Sequence, residues 1–141
     1  MEKLVIDASV AMTWCYPDEH SDYAYKVLDA LEHATAIVPA HWKLEITNAV
    51  IFGERRARLS GSDILRFFSL IDSLLIEVDP QTSMRSFRET LGLARSYRLT
   101  AYDAAYLELA MREGLVLATA DVPLRKAAEK VGVMAFKDLR G

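Results

Sequence analysis

Apolar residues fall along this chain in two rhythms. Short, largely apolar runs recur at 3–6, 36–39, 75–78, 115–119 and 133–136, each of a length that suits a buried strand. Between them the spacing changes to three and four residues, the period of a helix with one face against a core. Residues 41–58 carry Trp42, Ile46, Ala49, Val50 and Phe52 in that spacing, and residues 63–74 carry Ile64, Leu65, Phe67, Phe68, Ile71 and Leu74. Further helices are predicted over 9–14, 21–33, 81–97, 101–113 and 122–130. The punctuation agrees: Pro17 separates the first two helices, Ser60–Gly61–Ser62 breaks the third from the fourth, Pro80 stops a strand, and Gly114 and Gly132 stand where helix C-caps belong. Strands alternating with helices of this length argue for an α/β fold with a mainly parallel central sheet and helices on both faces. No repeat, low-complexity tract or linker interrupts the pattern, so residues 1–141 read as one domain.

Composition narrows this only a little. The 141 residues are 52% apolar, enough to fill a core and too rich in hydrophobic side chains for a disordered chain. No apolar run reaches the length of a membrane span. The first residues lack the charged head and cleavage site of a secretory signal, and the lone Cys15 rules out an internal disulfide and reads as a small buried side chain. These features lead us to expect a cytoplasmic protein. Glycine-rich phosphate loops are absent, which removes support for nucleotide-cofactor chemistry. The net charge of −3 neither favours nor excludes nucleic acid: with four acids set aside for a cation, sixteen remain against seventeen Lys and Arg.

Those four acids are the informative residues. Asp7 directly follows the first strand and Asp121 follows the run at 115–119. In open parallel sheets, ligands gather at the carboxyl ends of strands, although each aspartate would also serve as an N-cap. Glu45 has His41, Trp42, Asn48, Ala49 and Phe52 at helical spacing and no Lys or Arg among them. A carboxylate on such a face needs a partner. Asp103 stands three residues after Thr100, the spacing of a capping box, yet Tyr102, Tyr106, Leu107 and Ala110 surround it with apolar surface. Hard cations such as Mg²⁺ and Mn²⁺ take oxygen ligands and keep several waters. Four clustered carboxylates would strain without one, since two unit charges about 4 Å apart repel by roughly 4 kcal/mol at an effective dielectric near 20.

Taken in order, these segments resemble the PIN-domain nucleases, and among them the VapC-type toxins of toxin–antitoxin pairs. The resemblance is carried by VIDASV around Asp7, the W-x-x-E-x-x-N stretch of Trp42, Glu45 and Asn48, YDAAYLELA around Asp103, and LATADVPLRKAAEKVGV with Thr119 and Asp121. It implies a small Rossmann-like α/β/α sandwich and an Mg²⁺- or Mn²⁺-dependent endoribonuclease. In that likeness Asp7, Glu45, Asp103 and Asp121 are the catalytic and metal-binding quartet, and Thr119, Ser9 and Asn48 are supporting residues. It further implies a homodimer, silenced by a cognate antitoxin, that cuts tRNA, ribosomal RNA or messenger RNA. Residues 58–98 carry no signature of the family.

Two other functions fit parts of the pattern. A phosphoryl-transfer hydrolase would use Asp7 as nucleophile, but Ser9 stands where a second aspartate is expected, and no lysine marks a later strand end. A non-catalytic PIN-like binding module would keep the fold without needing the acids. Among the cations, Arg55, Arg56 and Arg58 suit a helix C-terminus, Lys43 points away from Glu45, and Arg125 and Lys126 follow Asp121 closely enough to approach a bound phosphate. Phe67, Phe68 and Ile71 are expected in the core, with part of that face free for a second copy. His20, His33 and His41 lack metal-ligand spacing and are given no role.

Overall fold

The computed structural model describes residues 2–137. Its elements are β1 (Glu2–Ile6), α1 (Ala8–Cys15), α2 (Asp22–Ala30), β2 (Ala34–Val38), α3 (Trp42–Arg55), α4 (Gly61–Ser73), β3 (Ile76–Val78), α5 (Thr82–Arg85), a π-helical turn (Ser86–Thr90), α6 (Leu91–Tyr97), α7 (Ala101–Glu113), β4 (Leu117–Ala118) and α8 (Val122–Val131). The strands pair in the order β3-β2-β1-β4, all parallel.

The inner strands β1 and β2 are apolar on both sides over most of their length because helices cover both. Val5, Ile37 and Leu117 enter a core built with α1, α3, α4, α7 and α8, around Trp42, Phe67, Tyr106 and Leu124. Their neighbours Leu4, Ile6, Ala36 and Ala118 face the other way, against Ala24, Val27 and Leu31 of the α2 region. The period-two alternation of a strand thus feeds two layers, and the α/β/α sandwich expected from the sequence is what forms. Cys15 is buried, as expected.

Three expectations change. The run at 115–119 gives only a two-residue strand: Gly114 closes α7 in the left-handed conformation, and Leu115 spends its N–H on the carbonyl of Ala110. The run at 133–136 is not a full strand. It meets the sheet through Ala135 beside Leu117, with Leu117 N–H donating to Met134 and Phe136 N–H to Leu117. The helix expected over 81–97 contains the π-helical turn, an irregularity that side-chain periodicity does not reveal.

Gly53 in α3 is fixed by a close approach. A Cβ there would lie 2.5 Å from the Tyr16 hydroxyl and 2.6 Å from Leu59 Cδ1. Tyr16 cannot easily yield, since its hydroxyl donates to Ala49 O and Arg58 stacks 4.3 Å over its ring. Alanine is the better helix former, yet Gly53→Ala is expected to lower stability by about 1–2 kcal/mol through overpacking. Urea unfolding of the two proteins measures this.

Candidate active site

The sheet order creates a switch point. From β1 the chain crosses to β2 on one side, while β4 lies on the other side of β1. Crevices open at the carboxyl ends of strands flanking such a point. Asp7 leaves β1 there, and Thr119 and Asp121 leave β4 beside it.

Helix starts bring in the rest. Asp7 is the N-cap of α1 and Asp121 the N-cap of α8, where its Oδ2 accepts from Leu124 N–H at 2.9 Å. Glu45 and Asp103 lie in the first turns of α3 and α7. The capping explanation of the aspartates is therefore correct and does not compete with a functional one. Helix N-termini carry partial positive charge, so four of them help to hold negative charge at the carboxyl ends of the strands.

The acids sense one another. Burial, followed by the charges of Asp7, Asp121 and Glu45, raises the Asp103 carboxyl from its ordinary 3.8 to about 6. Asp7 is only 4% exposed. Burial pushes its carboxyl upward, and Glu45 adds to the push against the hydroxyls of Thr119 and Ser9. Its Oδ2 accepts from Thr119 Oγ1 at 2.7 Å and from Ser9 Oγ at 2.9 Å. Thr119 Oγ1 in turn accepts from Asp121 N–H at 3.0 Å, and Ser9 Oγ from Ala120 N–H at 3.3 Å. These two hydroxyls stitch the ends of β1 and β4 together and set the rotamer of Asp7. Asn48 is exposed, and its side chain makes no hydrogen bond among the described residues.

Glu45 is anchored differently. Burial alone would raise its carboxyl, but His41 and the Tyr106 hydroxyl beside it hold it below its ordinary range. Tyr106 donates to Oε1 at 2.6 Å. His41 Nε2 lies 3.2 Å from the same oxygen, but its N–H is not aligned as a hydrogen bond, so we count it as a polar neighbour rather than a donor. Sequence reasoning missed both residues. The four-residue spacing of His41 and Glu45 was a usable signal; the contact of Tyr106 with Glu45, across 61 residues, left none.

Among the described residues, no three His, Cys, Asp or Glu side chains are drawn close enough to hold an ion directly. The donor set still fits a hard cation. It is all oxygen, and Mg²⁺ is commonly held through one or two carboxylates with waters filling its remaining positions.

The cations divide. Arg125 donates to Thr119 O at 3.1 Å and so stands at the crevice, while Lys126 is exposed. Arg58 is taken up by Asp18 and Glu19, and Arg56 lies over Phe52. In α4 only Phe67 is fully buried; Ile71 packs against the core, and Leu65 and Phe68 are exposed.

A PIN domain profile matches residues 4–130. The chain belongs to the PIN-domain family. Ribonuclease VapC3 of Pyrobaculum aerophilum is 27% identical over 128 residues, covering 91% of this chain and 94% of the relative. The crystal structure of PAE2754 from the same organism superposes with a TM-score of 0.65 at 25% identity, over 90% of this chain and 86% of that one. Two further structures share the fold at lower identity. FitAcB from Neisseria gonorrhoeae has a TM-score of 0.60 at 18%, covering 95% of this chain and 96% of its own. VapBC2 from Rickettsia felis, bound to a DNA fragment from the promoter, has 0.61 at 12%, covering 95% and 97%. The resemblance to PIN domains of VapC type drawn from the sequence is borne out. PIN nucleases generally use a divalent metal. Among the described residues no helix is long and apolar enough to cross a membrane.

Proposed function

We propose that this PIN domain is a metal-dependent endoribonuclease, the toxin of a toxin–antitoxin pair, with Asp7, Glu45, Asp103 and Asp121 as its catalytic acids. The observation that carries the reading is the surroundings of Asp103, whose carboxyl is raised first by burial and then by the charges of Asp7, Asp121 and Glu45, which come from three separate segments. The relative named Ribonuclease VapC3 supports the chemistry. The likeness to a VapBC pair supports an antitoxin partner.

In this reading Asp7 and Asp103 hold Mg²⁺ or Mn²⁺ together with Glu45 and Asp121, directly or through water. A bound divalent ion polarises a phosphate oxygen and supplies a water of lowered pKa. Thr119 and Ser9 fix the Asp7 carboxylate. Asn48, three residues after Glu45 on α3, and Arg125, which donates to Thr119 O, would meet the RNA backbone. A homodimer acting in the cytoplasm belongs to the same proposal. The covalent alternative is disfavoured by Asp7 itself, since its Oδ2 accepts from the two hydroxyls of Ser9 and Thr119, which hold it in place and weaken it as a nucleophile.

Purified protein incubated with total cellular RNA is expected to produce discrete new ends with Mn²⁺ or Mg²⁺ and none in excess chelator. Asp7→Asn, run beside it, should lower cleavage at least about 100-fold, the upper range for groups that merely support a ligand. Equal cleavage by the variant, or in chelator, would overturn the reading.

A further inference from the structure

We propose that Tyr106 is a positioning residue for the reaction: its hydroxyl, locked between the amide of Ala8 and the carboxylate of Glu45, holds one oxygen of Glu45 and leaves the other for the cation. The inference rests on the metal-nuclease reading above and goes beyond it, because Tyr106, although it lies within the stretch around Asp103, is given no role by that reading.

The direction of the bonds follows from counting donors. Ala8 opens α1, so its N–H has no carbonyl partner within the helix. It donates instead to the Tyr106 oxygen at 3.3 Å. A phenol has one O–H and two lone pairs. With a lone pair engaged by an amide that can only donate, the phenolic hydrogen goes to Glu45 Oε1, 2.6 Å away. That distance is typical of a hydroxyl donating to an ionised carboxylate. Tyr106 is fully buried, so water does not substitute for either contact.

The ring is fixed as well. It packs edge-on against His41, with centroids 5.4 Å apart and planes at 81°, and His41 Nε2 flanks the same Oε1. Glu45 Oε2 makes no hydrogen bond among the described residues. Tyr106 lies one turn beyond Asp103 on α7, so one helix places an acid of the site and the clamp on another. A single hydroxyl thereby joins α1, just after Asp7, to α3 at Glu45.

The test measures Mn²⁺ binding to the whole chain by electron paramagnetic resonance without RNA, beside cleavage kinetics and thermal unfolding in chelator. Tyr106→Phe keeps the ring and removes the hydroxyl. It is expected to weaken Mn²⁺ binding about tenfold and to lower kcat while leaving KM unchanged. In a Glu45→Gln background the same change should alter Mn²⁺ affinity by less than about twofold, because the clamp then has no carboxylate to hold. A folded Tyr106→Phe protein with wild-type Mn²⁺ affinity overturns the proposal, as does an equal loss in both backgrounds. Should Tyr106→Phe fail to fold, proton magnetic resonance of the wild-type protein decides: a downfield Tyr106 hydroxyl proton that moves upfield in Glu45→Gln supports the clamp, and a hydroxyl proton that is absent or unmoved by Glu45→Gln overturns it. If the wild-type protein neither binds Mn²⁺ nor cleaves RNA, the nuclease reading itself falls and takes this inference with it.

Discussion

Asp103→Asn should silence RNA cleavage and at the same time make the metal-free protein more stable at neutral pH. The first half follows from its place among the acids. The second follows from linkage. The Asp103 carboxyl sits at about 6 in the folded chain, raised first by burial and then by Asp7, Asp121 and Glu45. An unfolded chain would have it near 3.8. The folded form therefore binds this proton more tightly, and stability falls as pH rises from about 4 through 6. The difference between 3.8 and about 6 sets a ceiling of about 3 kcal/mol. Partial exposure and solvent screening reduce that to about 1–2 kcal/mol. Asparagine has no charge to repel, so the variant should gain that amount at pH 7.5 and almost nothing at pH 4. Urea unfolding in chelator at both values tests the sign. Added Mn²⁺ should stabilise the wild type more than the variant, reversing the order. A variant that is less stable than wild type at pH 7.5 in chelator, or that still cuts RNA, contradicts the argument.

How far the sequence disclosed this arrangement depends on how local each signal was. Strand-end aspartates announce themselves, because a parallel strand is a continuous apolar run and its end is visible. Asp7 and Asp121 were legible for that reason, and Glu45 and Asp103 because apolar neighbours at helical spacing make a lone acid conspicuous. Thr119 and Ser9 came from the family likeness, and their bonds to Asp7 give that assignment a physical reason. Tyr106 was hidden. On α7 it falls among Ala104, Ala105, Leu107 and Leu109, all buried, so it reads as one more core side chain. Only the fold shows that its polar end meets Glu45. The short β4 was misjudged because the apolar run at 115–119 mixes three jobs: a helix cap at Leu115, two sheet residues, and a hydroxyl at Thr119 turned to the site. Of Phe67, Phe68 and Ile71, expected in the core of α4, Phe68 is exposed, because periodicity gives the width of an apolar face and not what covers it.

The largest loss of stability is expected far from the acids, at Arg112. Its guanidinium donates to Asp79 through Nη2 at 2.6 Å and Nη1 at 3.3 Å, and to Glu108 through Nε at 2.9 Å and Nη2 at 3.1 Å. Both carboxylates are deeply buried, Asp79 at 3% and Glu108 at 5% exposed. Burial pushes Asp79 up, but Arg112, the Gln81 N–H and the Thr82 hydroxyl outweigh it and hold the carboxyl below its ordinary range. Such a cluster is modest as a source of net stability, yet removing its one cation leaves two buried anions facing each other. Arg112→Met keeps much of the aliphatic packing and should cost about 3–5 kcal/mol at pH 7.5, roughly 10–15 °C in Tm for a chain of this size. The pH dependence gives the cause away. In the wild type, the Asp79 contribution is present at neutral pH and lost as pH falls through its depressed value. In the variant, protonation relieves the repulsion, so the deficit against wild type should shrink towards pH 4. Adding Asp79→Asn to Arg112→Met should recover part of the loss at pH 7.5. A deficit that is flat with pH would assign the effect to lost packing alone. Because Asp79 follows β3 and Arg112 ends α7, this cluster ties the outer edge of the sheet to the helix that carries Asp103 and Tyr106, and the variant should therefore weaken Mn²⁺ binding as well as stability.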